Sequence, residues 1–125
     1  MILSIFVKTL VVIIAALHLY FFYFEMFAWT TTGKKIFGRR REGFYEETKS
    51  LAANQGLYNG FLVAGLIWSL FIQDENWFNY VSLFFLSCVL VAGIYGGISA
   101  SRKIFLVQGL PALFCMVLII IQKLI

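Results

Sequence analysis

The chain has 125 residues, of which 62% are hydrophobic and 13% are charged, and its formal net charge is +4. Because soluble globular domains carry about 25% charged residues, this composition excludes an ordinary soluble domain. The mean hydropathy of +0.90 indicates an integral membrane protein whose membrane spans take up most of the chain.

Four apolar stretches are long enough for membrane-spanning helices, each of which needs about 20 apolar residues. They predict spans over residues 9–29, 51–72, 77–99 and 104–121. The first stretch is too long for a signal peptide and lacks a clear small-residue cleavage site, so we expect it to stay in the mature protein. Short connections should make the last three helices antiparallel neighbours. The predicted fold is therefore all-α, a single-domain antiparallel four-helix transmembrane bundle over residues 1–125.

Basic residues in the connections predict the orientation. The connection over residues 30–50 contains six Lys and Arg residues and the third connection contains Arg102 and Lys103, whereas Gln73–Asn76 contains none. Since Lys and Arg near span ends stay on the cytoplasmic side, loops one and three should be cytoplasmic and both termini outside, in a bacterial inner (plasma) membrane. The Arg39–Arg41 cluster then fits anionic lipid head groups, and we do not expect a nucleic-acid partner.

Polar residues inside the spans concentrate in the cytoplasmic half. Counting a rise of about 1.5 Å per residue from each cytoplasmic span end places four of them about 7.5 Å deep. These are Glu25, Gln55, Tyr95 and Gln108, with Asn54 just above them and Tyr58 and Asn59 just below. Because the outer halves of the spans are almost wholly apolar, the pattern predicts a polar intramembrane cavity that faces the cytoplasm.

Glu25 is the only acidic residue inside a predicted span. His18 lies seven residues before it and Trp29 four residues after it, so all three should share one face of the first helix. An acidic side chain at this depth is tolerated mainly when it faces water or a partner. No Lys or Arg shares its layer, so we expect Glu25 to be either protonated in an apolar pocket or hydrated from the cytoplasm.

The second predicted helix carries a polar face and a separate glycine face. Gln55, Tyr58 and Asn59 form a polar face by their i, i+3, i+4 spacing. Gly56 and Gly60 lie about 100° round the helix in a G-x-x-x-G spacing. One face is therefore expected to line the cavity while the other packs closely against a neighbouring helix.

Two further features concern the third and fourth helices. Gly93 and Gly97 repeat the G-x-x-x-G spacing, which favours intramolecular packing over dimerisation and leaves a homo-oligomer open. Pro111 lies three residues beyond Gln108 and lacks an N–H, so it should interrupt the fourth helix and free the carbonyl of Val107 beside the polar layer.

A metal site is the weakest of the interpretations. His18, Cys88 and Cys115 fall at similar depths, as the ligands of a Cys2His metal site would. No C-x-x-C or H-x-x-H spacing supports it, and lone membrane cysteines usually pack as small apolar residues. We therefore expect no metal, and the sequence identifies no cofactor.

Four runs of the sequence resemble a family of small bacterial four-span membrane proteins of unknown function. The runs are EMFAW from Glu25, AANQGLYNGF from Ala52, VAGIYG from Val91 and QGLPA from Gln108. The resemblance covers nearly the whole chain, and the run in the second helix is its most specific part. It implies a four-span fold and motif residues at His18, Glu25, Trp29, Asn54, Gln55, Tyr58, Asn59, Tyr95 and Gln108, and it implies no activity.

Three classes of function remain from the sequence. The first is a binder or transporter of a small molecule, in which Glu25 exchanges a proton or a cation with the substrate. The second is a membrane-embedded enzyme that uses Glu25 with Tyr95 or His18 for acid–base chemistry on a lipid-like substrate. The third is a structural or assembly role. The expected partners are membrane lipid and a small-molecule ligand whose identity the sequence does not indicate.

Overall fold

The computed structural model describes residues 1–125, and its regular secondary structure is entirely helical, with no β-strand. Two of the helical segments are π-helical turns, which close their hydrogen bonds over five residues instead of four. In chain order the elements are α1 (Ile2–Phe27), a π-helical turn (Trp29–Gly33), α2 (Lys34–Phe37), α3 (Phe44–Glu47), α4 (Lys49–Leu70), α5 (Glu75–Ser99), α6 (Arg102–Ile104), a second π-helical turn (Phe105–Gly109) and α7 (Leu110–Leu124).

The first connection is folded and contains several short helical turns. Helix α1 ends where Ala28 leaves the helical conformation, at φ −140° and ψ 33°. Gly38 ends α2 and Gly43 precedes α3, and their φ angles of 77° and 80° are ones that side-chain-bearing residues rarely adopt. Glycine at these two positions therefore allows the backbone conformations that end α2 and begin α3.

Capping side chains begin the helices that follow the other two connections. The Asp74 carboxylate accepts a hydrogen bond of 2.9 Å from the backbone N–H of Trp77 at the start of α5. The Ser101 hydroxyl accepts one of 3.3 Å from the backbone N–H of Lys103. Such caps satisfy N–H groups that a helix start leaves unpaired, so both connections can be tight.

Three helical segments are long and apolar enough to cross a membrane: Ile2–Phe27, Glu75–Ser99 and Arg102–Leu124. They indicate membrane association. The predicted second span forms α4, which has 22 residues but is not one of these three segments. Polar residues such as Asn54 and Asn59 lower the apolar character of α4, and its crossing of the membrane stays a prediction.

The chain divides into two compact units. The central unit is Ala16–Val63, and the flanking unit consists of Met1–Ala15 with Ala64–Ile125. Within the central unit, contacts pair Gly60 with Phe22 and Gly56 with Met26. The later residue of α4 thus contacts the earlier residue of α1, so these two helix portions are antiparallel.

Within the flanking unit, α5 packs antiparallel to the segment formed by α6, the second π-helical turn and α7. Gly97 contacts Phe105, and Gly93 contacts Gly109 further along the pair. The fully buried side chains of this unit are mostly apolar and include Val7, Val11, Leu66, Phe78, Leu86, Val89, Cys115 and Ile119. The close glycine contacts agree with the expectation that Gly93 and Gly97 mark a packing face.

The π-helical turn over Phe105–Gly109 ends two residues before Pro111. Proline lacks the N–H that a regular helix uses, so a widened turn just before it accommodates the missing bond. The interruption of the helix that Pro111 predicts near Gln108 takes the form of this turn.

Candidate functional site

The centre of the candidate site is the side chain of Glu25, which lies in α1 and is 5% exposed. Its Oε1 accepts a hydrogen bond of 3.0 Å from Nε2 of Gln55. Its Oε2 accepts one of 2.6 Å from Nδ2 of Asn59. Both donors lie on α4, one turn apart, so two amide side chains solvate the carboxyl group in place of water.

The small residues of α4 let the two helices approach closely at this point. A Cβ atom added at Gly56 would lie 2.9 Å from the backbone nitrogen of Met26 and 3.0 Å from Cβ of Glu25. The buried residues of α4 in the central unit are Ala52, Gly56, Asn59 and Val63. The expected division into a polar face and a separate glycine face therefore differs from the structure, in which Gly56 and Asn59 share the buried stripe.

Trp29 and Thr48 form the second part of the site. The indole N–H of Trp29 donates a hydrogen bond of 2.9 Å to Oγ1 of Thr48. The Trp29 ring also contacts Phe37 at 5.3 Å and Tyr45 at 5.5 Å between ring centroids. Because Tyr45 is only 7% exposed and donates a hydrogen bond to the carbonyl of Gly38, the first connection is anchored beside the start of α4.

A cavity of about 170 Å³ adjoins these groups. It is lined by Glu25, Trp29, Thr48, Leu51, Ala52 and Gln55. A carboxylate has about four acceptor positions, and the two amides use one on each oxygen. Glu25 can therefore accept further hydrogen bonds from a molecule in the cavity, while the other side of the cavity offers the Trp29 ring and aliphatic carbon.

Three of the predicted site residues lie in the central unit but are not the residues that donate to Glu25, which are Gln55 and Asn59. His18 is fully buried, and its ring contacts that of Phe21 at 5.2 Å between centroids. Tyr58 is 64% exposed and contacts Phe61, and Asn54 is exposed. The structure thus brings together Glu25, Trp29, Gln55 and Asn59 from the predicted set.

Tyr95 and Gln108 belong to the flanking unit. Tyr95 is 73% exposed on α5, and its carbonyl accepts a hydrogen bond from the hydroxyl of Ser99. Gln108 is partly exposed and lies in the second π-helical turn. The predicted layer that joins these two residues to Glu25 stays a prediction.

Three lining residues were not among the predicted site residues: Thr48, Leu51 and Ala52. Helix spacing could have indicated Leu51 and Ala52, because they precede Gln55 by four and three residues and so share its side of α4. Thr48 lies just before α4, so the spacing within that helix does not indicate it.

The structure contains no group of three or more His, Cys, Asp or Glu side chains that could hold a metal ion. Cys88 and Cys115 are both free thiols. Cys115 is buried, and its Sγ lies 4.0 Å from the carbonyl oxygen of Val7. Cys115 therefore packs inside the flanking unit, whereas Cys88 is only half-buried there.

The helices and the Glu25 cluster describe a small helical membrane-associated protein with a buried acid. The chain belongs to a family described as proteins of unknown function (DUF1304), whose family model matches residues 12–120. It is 31% identical over 107 residues to the uncharacterized protein YpaA of Lactococcus lactis subsp. lactis (strain IL1403), a match that covers 84% of this chain and 88% of that protein. No solved structure matches the chain significantly. The resemblance to a family of uncharacterised proteins with a bacterial member is thereby confirmed, whereas the motif runs that suggested it and the four spans stay predictions.

Proposed function

We propose that this protein binds a small hydrogen-bond-donating molecule at Glu25, in a polar site in the cytoplasmic half of the membrane, either to hold it or to transport it. One observation carries the proposal: the buried Glu25 is bonded to two amides and borders a cavity. Gln55 and Asn59 orient both carboxyl oxygens, and the cavity of about 170 Å³ lies on the side of Gln55.

The lining of the cavity limits the chemistry of the ligand. Glu25 offers acceptor positions, and an amine bound beside it would favour its charged form, so the site favours an amine or a hydroxyl over an anion. Trp29, Leu51 and Ala52 favour an apolar body, and an indole ring also attracts a cation placed over its face. Since a cavity of about 150 Å³ holds benzene, the ligand is a small molecule or a terminal group.

Benzylamine is a suitable probe because it joins an ammonium group to a six-membered ring. With Trp68 and Trp77 replaced by Phe, Trp29 is the only indole left, and its fluorescence reports binding. We expect benzylamine to bind and benzoate, which has the same ring and the opposite charge, to bind at least about tenfold more weakly. Equal binding of the two would refute the proposal.

The variant Glu25→Gln should remove the preference for benzylamine, because the isosteric amide keeps the shape and loses the charge. Glu46→Gln is the matched control, since Glu46 is exposed in the first connection and does not line the cavity. A Glu25→Gln protein that folds and still distinguishes benzylamine from benzoate as the native protein does would also overturn the assignment.

The membrane arrangement is part of the proposal. We propose four antiparallel spans in the bacterial inner membrane, with loops one and three in the cytoplasm and both termini outside. The antiparallel pairing within each unit supports this arrangement, as do the exposed basic residues of the first connection.

Cysteine labelling tests the orientation in a Cys88→Ser, Cys115→Ala background. A cysteine at Gln73 in the second connection should react with a membrane-impermeant thiol reagent added to intact cells. A cysteine at Arg40 in the first connection should react only after the cells are opened. The reverse pattern would place the Glu25 site on the other side of the membrane.

A further inference from the structure

A second polar cavity lies in the flanking unit, at the first turn of α5 and the last turn of α7. Its volume is about 230 Å³, and its lining residues are Glu75, Asn76, Asn79, Gln122 and Lys123. All five are polar, although both helices belong to the apolar segments that can cross a membrane. The Gln122 amide also donates a hydrogen bond to the Glu75 carboxylate across the two helices.

Buried oxygen atoms without partners mark this cavity. Asn79 is 2% exposed, and its Oδ1 makes no hydrogen bond. Oε1 of Gln122 is also buried and unbonded, as is the hydroxyl of Ser82 one turn further along α5. Buried polar atoms in folded proteins nearly always have a partner, so the amide oxygens of Asn79 and Gln122 indicate a donor that comes from another molecule.

The charges beside these oxygens indicate what the molecule carries. Glu75 adds a carboxylate, which gives three acceptor groups from three residues and matches the three N–H bonds of a primary ammonium. Lys123 adds a positive charge that lies 4.0 Å from the centroid of the Tyr80 ring. An ammonium group next to a phosphate would therefore meet acceptors and a cation in the same cavity.

The position of the cavity favours a lipid as the source of these groups. Helix α5 begins at the cavity and helix α7 ends there. Trp77 and Tyr80, in the first turns of α5, are 63% and 51% exposed. Exposed Trp and Tyr side chains at span ends lie at the level of the lipid head groups. We propose that Glu75, Asn79, Gln122 and Lys123 form a binding site for a phosphoethanolamine head group, with the ammonium on the oxygens and the phosphate on Lys123.

The size of the cavity agrees with this ligand. Phosphoethanolamine has two carbon atoms between its nitrogen and its phosphate ester oxygen. Since a cavity of about 150 Å³ holds the six carbon atoms of benzene, the volume of about 230 Å³ can hold the head group and leave the acyl chains outside.

Native mass spectrometry of the full chain with dioctanoyl lipids tests the site. We expect phosphatidylethanolamine to bind at least about tenfold more tightly than phosphatidylcholine, because three methyl groups remove every N–H donor and leave the charge unchanged. Phosphatidylglycerol, which lacks the ammonium, should also bind more weakly. Phosphatidylcholine binding as tight as that of phosphatidylethanolamine would refute the proposal.

Substitutions in the cavity test whether phosphatidylethanolamine binds there. Asn79→Leu and Gln122→Leu should each weaken phosphatidylethanolamine binding about tenfold, whereas Gln73→Leu, an exposed glutamine outside the cavity, should not change it. Native-like phosphatidylethanolamine binding by both cavity variants would overturn the assignment. If Asn79→Leu does not fold, Glu75→Gln still tests the site and should reduce the preference for phosphatidylethanolamine over phosphatidylcholine.

Competition with soluble phosphoethanolamine identifies the source of the head group. Binding of the lipid at least about tenfold more tightly than the soluble compound supports a membrane lipid. Equal binding of the two supports a water-soluble ligand with the same chemistry. Failure of both to bind removes the site altogether, and it does so independently of what occurs at Glu25.

Discussion

The central and flanking units hold their helices together by different means. In the central unit, the Glu25 carboxyl group accepts hydrogen bonds from Gln55 and Asn59 and so joins α1 to α4. In the flanking unit, α5 meets the second π-helical turn backbone to backbone, since a Cβ atom added at Gly93 would lie 2.5 Å from the nitrogen of Gly109. The stability of the flanking unit should therefore fall when a substitution adds an atom at the close backbone contact. The stability of the central unit should fall when a substitution removes a hydrogen-bond partner of Glu25.

The largest effect should come from adding volume in the flanking unit. Gly93→Ala places its Cβ against backbone atoms that cannot rotate away, so α5 must move, and we expect a loss of about 1–3 kcal/mol in unfolding free energy. Unfolding in detergent measures it. Gly60→Ala is the control with a smaller expected loss, because its Cβ would meet the movable ring of Phe22 at 3.1 Å. Equal losses would contradict the comparison.

A smaller effect should follow from removing a partner in the central unit. Asn59→Leu takes away the shorter and more buried of the two bonds to Glu25, and we expect it to lower the unfolding free energy by about 1–2 kcal/mol. Gln55→Leu should lower it by about 0.6 kcal/mol, the average for such bonds in membranes. Asn54→Leu is the control, since Asn54 is exposed. If Asn54→Leu costs as much as Asn59→Leu, the Glu25 cluster has no special part in stability.

The Trp29–Thr48 bond tests whether the first connection belongs to the same cluster. A double-mutant cycle with Trp29→Phe and Thr48→Val should show a coupling of about 0.5–1.5 kcal/mol in unfolding free energy, the usual range for one neutral hydrogen bond. The same cycle with Thr32→Val in place of Thr48→Val should show no coupling. A coupling of zero for the first pair would mean that the bond adds nothing to stability.

The smallest effect concerns the exposed ion pair of the first connection. The Arg41 guanidinium bonds to the Glu47 carboxylate and lowers the pKa of that carboxyl group. Because the folded-state pKa is depressed, this pair stabilises the fold above the ordinary glutamate pKa of about 4.3 and loses its effect as the pH falls below it. NMR titration should show the Glu47 pKa rising toward its ordinary value in Arg41→Gln, whereas an unchanged pKa would exclude the pair in solution.

The helices could be predicted from the sequence because apolar length is a strong signal. All four predicted spans form helices, and their bounds differ mainly at the ends: α1 begins at Ile2 and ends at Phe27, against residues 9–29. The folded turns of the first connection could not be predicted. They depend on the positive φ angles of Gly38 and Gly43 and on aromatic contacts between distant residues, neither of which follows a helical period.

The candidate site was predictable where a rare residue type and helix spacing coincide. Glu25 is the only acid in its helix, and Gln55 and Asn59 lie one turn apart on α4, so helical spacing places both amides on one face. The Asn79 cavity was not predicted, because its residues appeared to be ordinary polar groups near span ends. Its signal was the i, i+4 spacing of Glu75 and Asn79 on one face of α5.

The two π-helical turns have a consequence for how the family can vary in length. Each turn holds one residue more than the α-helical turn that would replace it, and they lie at Trp29–Gly33 and Phe105–Gly109. A relative that lacks one residue in either turn can close it as regular α-helix and keep the flanking helix register. Single-residue gaps between this chain and its relatives should therefore fall in these two turns more often than inside α4 or α5.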